Sequence, residues 1–304
     1  MPGSALDRKF DRIREMEEAG KLKTRTGSRA LRKMLNNPLA LVGLVLFSII
    51  LLASVFAPWL TEYDPGKIDL RGRLQAPSAD HWFGTDKTGR DVFARVLYGG
   101  RVSILVGLGS ALLCAAVGVL IGCYAGYKGG WIDVICLRIS EIFMAFPQII
   151  LVLLLVSIVG QSLLNLIIIF VVSGWGAMFR LARARMLSLR EEEYVQALRS
   201  FGVSTARICY KHILPNALGP IMVNVTLTTA MFILAEAGLS FLGLGVPLNI
   251  PTWGNILNVA QDLRVLQNNW WMWLPVGLVI SLFVLSVNFI GDGLRDSADP
   301  MQQG

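Results

Sequence analysis

RMLSLREEEYVQALRSFGVSTARICYKHILP, Arg185–Pro215, decides how this chain is read. It lies between long apolar runs and is too polar to cross a bilayer. Yet Tyr194, Val195, Leu198 and Phe201 recur at helical spacing, an apolar stripe on a charged helix. Gly202 breaks the pattern, a second short amphipathic helix is predicted from about Ser204, and Pro215 is expected to stop it. Such a helix–glycine–helix knob, on the water side of a membrane protein, calls for a partner to cover its apolar face.

The flanking runs establish the membrane. Of 304 residues, 54% are hydrophobic and only 16% charged, and long windows carry no Asp, Glu, Lys or Arg. Leu39–Leu60 is one such window, Val102–Tyr127 a second, and His212–Ala235 and Gln267–Gly291 two more. Ile142–Phe179 is too long for one crossing and predicts two, joined by a turn near Gly160–Ser162. The expectation is an all-α polytopic membrane protein with six transmembrane helices in a lipid bilayer.

The net charge of +7 is unevenly spread. Residues 1–38 hold ten Lys/Arg, and Arg180–Lys211 holds seven. The positive-inside rule puts both in the cytoplasm, and six crossings return the C-terminus there. Thr61–Gly100 is assigned to the outside although it carries six Lys/Arg, beside six Asp/Glu. Nucleic acid is not expected as a partner, because the basic tail lacks interleaved aromatics and any binding motif. The first apolar run lacks a cleavage site and reads as an uncleaved anchor.

Four cysteines (Cys114, Cys123, Cys136, Cys209) fall in or near spans or on the cytoplasmic side, which gives no disulfide framework. The histidines, His81 and His212, fall on opposite sides of the membrane, so neither a His-rich metal site nor His-based catalysis is expected. There is no G-x-x-x-x-G-K-[ST] phosphate cradle, no paired carboxylates and no nucleophile elbow. The chain reads as a non-enzyme that binds no cofactor or metal of its own.

Within the spans, Gly118, Gly122 and Gly126 form a small-residue stripe on one helix face, expected to pack tightly against a neighbouring helix. Pro147 interrupts the third span and predicts a kink. Glu141 follows Arg138 at i,i+3 and predicts an ion pair. Glu236 has no such neighbour, so Pro147 and Glu236 are the candidates for a pathway or gating role. Trp270, Trp271 and Trp273 suggest an interfacial belt before the last span.

The knob resembles the cytoplasmic coupling motif of ABC importer permeases, a Glu-Ala-Ala triplet, a later Gly and a Leu-Pro ending. Here it reads Gln196-Ala197-Leu198, then Gly202, then His212-Ile213-Leu214-Pro215. Gln196 replaces the acidic residue and Leu198 the second alanine. HWFGTDKTGRDVFARVLYGGRVSILVG (81–107), LSFLGLG (239–245), TWGNIL (252–257) and NFIGDGLRDSADP (288–300) are similar to the C-type permeases of dipeptide, oligopeptide and nickel importers.

The resemblance implies a type I ABC importer permease fold. Its organisation would be a basic cytoplasmic tail (1–38), a first span (39–60), an extracytoplasmic segment (61–100) and a permease core (101–292). The core would carry the coupling loop at about 184–217, and 293–304 would be a cytoplasmic tail. The resemblance also implies partners: a homologous B-type permease, two ATPase subunits that use ATP, and an extracytoplasmic solute-binding protein. The place would be a bacterial inner membrane and the cargo peptides, with nickel, glutathione or another small solute as alternatives. A stand-alone channel or secondary transporter is the different-class alternative. It would show inverted repeats and intramembrane charge pairs, and would leave the knob unexplained.

Overall fold

A computed structural model describes residues 37–298. The basic tail 1–36 and residues 299–304 lie outside the described residues, so the charge reading of the N-terminus is not tested by it. The described chain is helical, with one isolated bridge, Thr85 to Asp91, in place of any sheet.

Among the described residues, five helices are long and apolar enough to cross a bilayer. They are α1 (Pro38–Val55), α2 (Val92–Lys128), α5 (Leu163–Leu189), α7 (Thr205–Phe241) and a last helix, α10 (Leu274–Ala298), preceded by a short turn from Trp270. Between α2 and α5 lie α3 (Gly130–Met144) and α4 (Gln148–Val159), which meet at an 88° bend. The third crossing in chain order is therefore a broken pair, which brings the count to six, and α4, at about 18 Å, is too short to cross alone.

The kink expected at Pro147 is there, corrected only in kind: two helices meeting at a break replace one bent helix. Phe146, preceding a proline, is pushed away from helical geometry, so α3 ends at Met144 and Pro147 stands outside α4 as its N-cap, with ψ 125°. The turn between α4 and α5 lies at Gly160–Ser162.

Pro215 is a second correction. It does not stop the helix, because α7 runs through it to Phe241. A π-helical stretch, Ile208–Ile213, widens the backbone just before the proline, and Pro215 enters at the start of the regular α-helical part, where its missing N–H is tolerated. Likewise α2 starts at Val92, well before the charge-free window at Val102. The two arginines that made this stretch look like a loop are both engaged. Arg95 lies 3.9 Å from Asp86, and Arg101 Nε donates to Ser54 O at 2.7 Å, closing α2 onto α1.

The bundle is held by two main cores and a smaller cluster of Ala125, Trp175 and Phe179. Around α2 and α5 pack Cys114, Phe170, Met178 and Met186, reached from α7 by Ile213 and Phe232. Trp253, Ile280, Phe283 and Val287 form the second, which joins α10 to α7 and α2. Asn37 donates to Asp296 at 3.0 Å, so the start of α1 and the end of α10 share one side of the bundle. The bundle has two ends, a loop side at Lys128, Leu189 and Thr205 and a cap side at Phe241 and Trp270.

On the cap side Thr61–Gly100 folds around charged groups. Asp86 receives Arg90 Nε at 2.7 Å and the Thr88 and Arg90 N–H groups at 2.8 and 3.0 Å. Asp91 caps α2 by accepting the Ala94 N–H, and its other oxygen meets His81 Nδ1 at 2.8 Å.

Candidate coupling loop and bundle sites

The loop after α5 forms α6 (Glu193–Ser200), which ends on Gly202. Gly202 adopts φ +73°, its N–H bonds Arg199 O, and the Val203 N–H bonds Leu198 O at 3.2 Å. This is a Schellman turn, and it places a glycine where other residues are strained. Only Val203 and Ser204 separate Gly202 from the start of α7, so the knob is a tight hairpin growing straight out of a membrane-spanning helix.

The apolar stripe divides. Val195 is 1% exposed and, with half-buried Leu198, packs on the bundle core beside Met186, Ile208 and Ile213. Phe201 is 84% exposed and Tyr194 39%. Only part of the predicted docking face is thus left bare, because the wide π turns bring Ile208 and Ile213 under α6. Gln196 and Ala197 are exposed, and Gln196 Nε2 donates to Glu191 O at 3.0 Å, bracing its own loop. Pro215 lies exposed in the first turn beyond the π stretch. A cleft of about 620 Å³ separates α6 from the end of α2, with Lys128, Arg190, Gln196 and Arg199 among its lining.

Gly118, Gly122 and Gly126 face α5. A Cβ on Gly118 would lie 2.6 Å from Met178 Cβ, one on Gly122 2.5 Å from Phe179 O, and one on Gly126 3.0 Å from Arg183 O. Sequence reading missed the neighbouring ion pair. Arg183, one of the seven basic residues counted in Arg180–Lys211, holds Asp133 of α3 with two nitrogens at 2.5 Å. Arg138 pairs with Glu141 at 2.8 Å on the exposed face of α3.

At the α3–α4 break lies a cavity of about 390 Å³ between α5 and α7. Gln148, Ser173, Asn224 and Thr228 give it polar groups, Phe143 and Met231 apolar ones, and no charged side chain lines it. Pro147 is next to this lining without belonging to it. Glu236 is elsewhere: it is fully buried, and its oxygens accept the Ser103 hydroxyl at 3.1 Å and the Ser240 hydroxyl at 2.8 Å. In place of a group open to a path, the structure has a buried polar knot at this position. Among the described residues no cluster of His, Cys, Asp or Glu could hold a metal ion.

Residues 118–301 match the family described as binding-protein-dependent transport system inner membrane component, and residues 26–77 match the N-terminal transmembrane domain of oligopeptide transport permease C. The chain belongs to this permease family. A Brucella suis biovar 1 (strain 1330) protein whose name marks it as a peptide permease is 43% identical over 95% of this chain and 96% of its own. DppC, a dipeptide transport system permease of Alkalihalophilus pseudofirmus, is 42% identical over 89% of this chain and 88% of its own. The oligopeptide permease OppC of Bacillus subtilis is 40% identical over the same shares. Among solved structures, an inward-facing MetNI methionine ABC transporter chain superposes with a TM-score of 0.53 at 22% identity, covering 67% of this chain and 96% of that one. That likeness shows the fold, a type I ABC importer permease. The protein is a multi-pass membrane permease subunit of the ABC peptide-importer family, and such subunits are not enzymes.

Proposed function

We propose that this permease forms half of the translocation path of an ATP-driven peptide importer and is driven through the loop Arg185–Pro215. The observation that carries this reading is the projecting hairpin, whose inner residues are locked to the bundle while Phe201 stands in solvent. An isolated bundle gains nothing from an exposed phenylalanine on a rigid turn; a groove on an ATPase would cover it. Gln196, turned onto its own loop, contributes shape rather than charge to that contact.

A homologous permease would complete the path, two ATPases would bind ATP, and a solute-binding protein would deliver cargo from outside. The setting is a bacterial inner membrane with both termini cytoplasmic, the side to which Arg180–Lys211 assigns the loop. For cargo, the names of the relatives favour peptides. The cavity at the α3–α4 break supports the same choice: amide and hydroxyl groups without a charge suit peptide backbones and offer nothing to a nickel ion.

The test is uptake by the reconstituted complex with Gly202→Pro. Proline cannot adopt φ +73° and has no N–H for Arg199 O, so both arms of the hairpin shift. Uptake should fall at least about tenfold. Normal uptake refutes the coupling role, and uptake by this chain without ATPases refutes the transporter class.

A further inference from the structure

Beyond α7 the chain folds back as an outer cap, Gly245–Gln261, containing the short helix α8 (Trp253–Leu257) and followed by α9 (Leu263–Asn268). The cap is seated on the end of α7 at several points. A Cβ on Gly254 would lie 2.6 Å from Ser240 Cβ and 2.7 Å from Ala237 Cα, so backbone rests directly on helix. Asn258 Nδ2 donates to Phe241 O at 2.6 Å, and Gln261 Nε2 donates to the same carbonyl. Inside the cap, buried Asn255 donates to the carbonyls of Val246 and Ile250 at 3.0 and 3.1 Å.

Glu236 lies beneath this seat. Ser103, from α2, donates its only hydroxyl proton to Glu236, which leaves its lone pairs to accept the Trp253 N–H at 3.0 Å. Ser240 donates to the other carboxylate oxygen at 2.8 Å. One acidic side chain thereby orients two hydroxyls and, through Ser103, fixes the first turn of α8. An apolar residue here would leave Ser103 free to rotate and the N–H without a defined partner. Burying a carboxyl in a membrane protein is costly, and an aliphatic side chain would avoid that cost.

We infer that Glu236 is a positioning residue that clasps the outer cap to α7, making cap and coupling loop the two ends of one rigid lever. The lever is α7 itself, 37 residues from Thr205 to Phe241, about 55 Å of helix that runs on through the π-helical stretch, Pro215 and Pro220. Movement of the loop at one end is carried along this helix to the cap at the other. This inference rests on the reading of the loop as the ATPase contact.

The experiment uses the assembled importer in lipid nanodiscs, titrated with its peptide-loaded binding protein. It reads the ratio of stimulated to unstimulated ATP hydrolysis and the hydrogen exchange of residues 245–261. Glu236→Ala should speed exchange in 252–257 at least about tenfold and reduce the stimulation ratio by a similar factor. Glu236→Gln keeps an acceptor and a polar partner for the two serines and should stay within about twofold of wild type in both. If Glu236→Ala does not assemble, Gly254→Ala lifts the cap from the other side without touching the carboxyl, and should lower the ratio likewise. An unchanged ratio in a cap-loosened variant overturns the lever. Loss of stimulation in Glu236→Gln with exchange still slow overturns it too, because charge rather than clasping would then be required. If the wild-type complex shows no stimulation, the coupling-loop reading itself fails, while exchange still reports on the clasp alone.

Discussion

Gly122→Ala adds one methyl where the backbones of α2 and α5 meet closely, and its cost can be worked from the geometry. The new Cβ would lie 2.5 Å from Phe179 O and 2.9 Å from Ala182 Cβ, against an ordinary contact of at least 3.4 Å. Both obstacles are fixed by α5's own backbone, so no side chain can rotate away. The helices must separate by about 0.5–0.9 Å, and that loosens Gly118 and Gly126 on the same face. Overpacking of this kind costs about 1–3 kcal/mol. Gly277→Ala, in α10, is the matched control, since a Cβ there meets nothing within 4 Å. Both substitutions gain the same helix propensity, about 1 kcal/mol, which cancels between them. The two variants should therefore differ by about 1–3 kcal/mol, roughly 5- to 150-fold in the unfolding equilibrium. The assay is reversible unfolding of the purified protein in mixed detergent micelles, followed by tryptophan fluorescence. A difference below about 0.5 kcal/mol would refute the idea that close backbone approach holds α2 to α5.

Two further outcomes are expected. Burial works against ionisation of Asp86, but the Thr88 hydroxyl, the Arg90 guanidinium and the N–H groups of Arg90 and Thr88 outweigh it and hold the carboxyl below its ordinary value. A depressed folded value means that its stability contribution is complete above the unfolded value of about 3.9 and disappears as pH falls through the folded one. Thermal unfolding scans should be flat from neutral pH to about pH 5 and fall below pH 4, and Asp86→Asn should lower stability by about 1–3 kcal/mol at neutral pH with a shallower acid slope. An unaltered slope would show that the carboxylate does not organise the outer segment. Separately, a double-mutant cycle on Arg183→Ala and Asp133→Ala should give a coupling above about 1 kcal/mol, because the pair is two-pronged and mostly shielded. Additive effects would mean that it adds nothing to the packing of α3 on α5.

Several local features were legible from residues alone. Gly202 as the hinge after Leu198, the turn at Gly160–Ser162 and the Arg138–Glu141 pair depend on neighbours within a turn or two. The signals that misled were also local. Arg95 and Arg101 looked like the end of a loop because their partners, Asp86 and Ser54 O, come from other segments, Ser54 from a different helix altogether. Pro215 looked like a stop because its effect depends on whether the backbone before it can widen, and nothing in Ile208–Ile213 announces a π turn. Glu236 stood without a partner in the sequence because Ser103, which meets it in the fold, is 133 positions away.

By itself, then, the sequence determined that this protein lives in a bilayer, roughly how often it crosses, and that a charged amphipathic hairpin interrupts the crossings. Those properties follow from composition over windows of about twenty residues, since hydrocarbon excludes charge whatever the neighbouring helix is. Only the tertiary structure decided that the third crossing is broken at 88°, that half of the hairpin's stripe is covered by its own bundle, and that Glu236 is buried against Ser103 and Ser240. Each of these turns on which groups meet across the fold, and a buried polar or close-packed contact takes its energy from a partner that local pattern does not reveal.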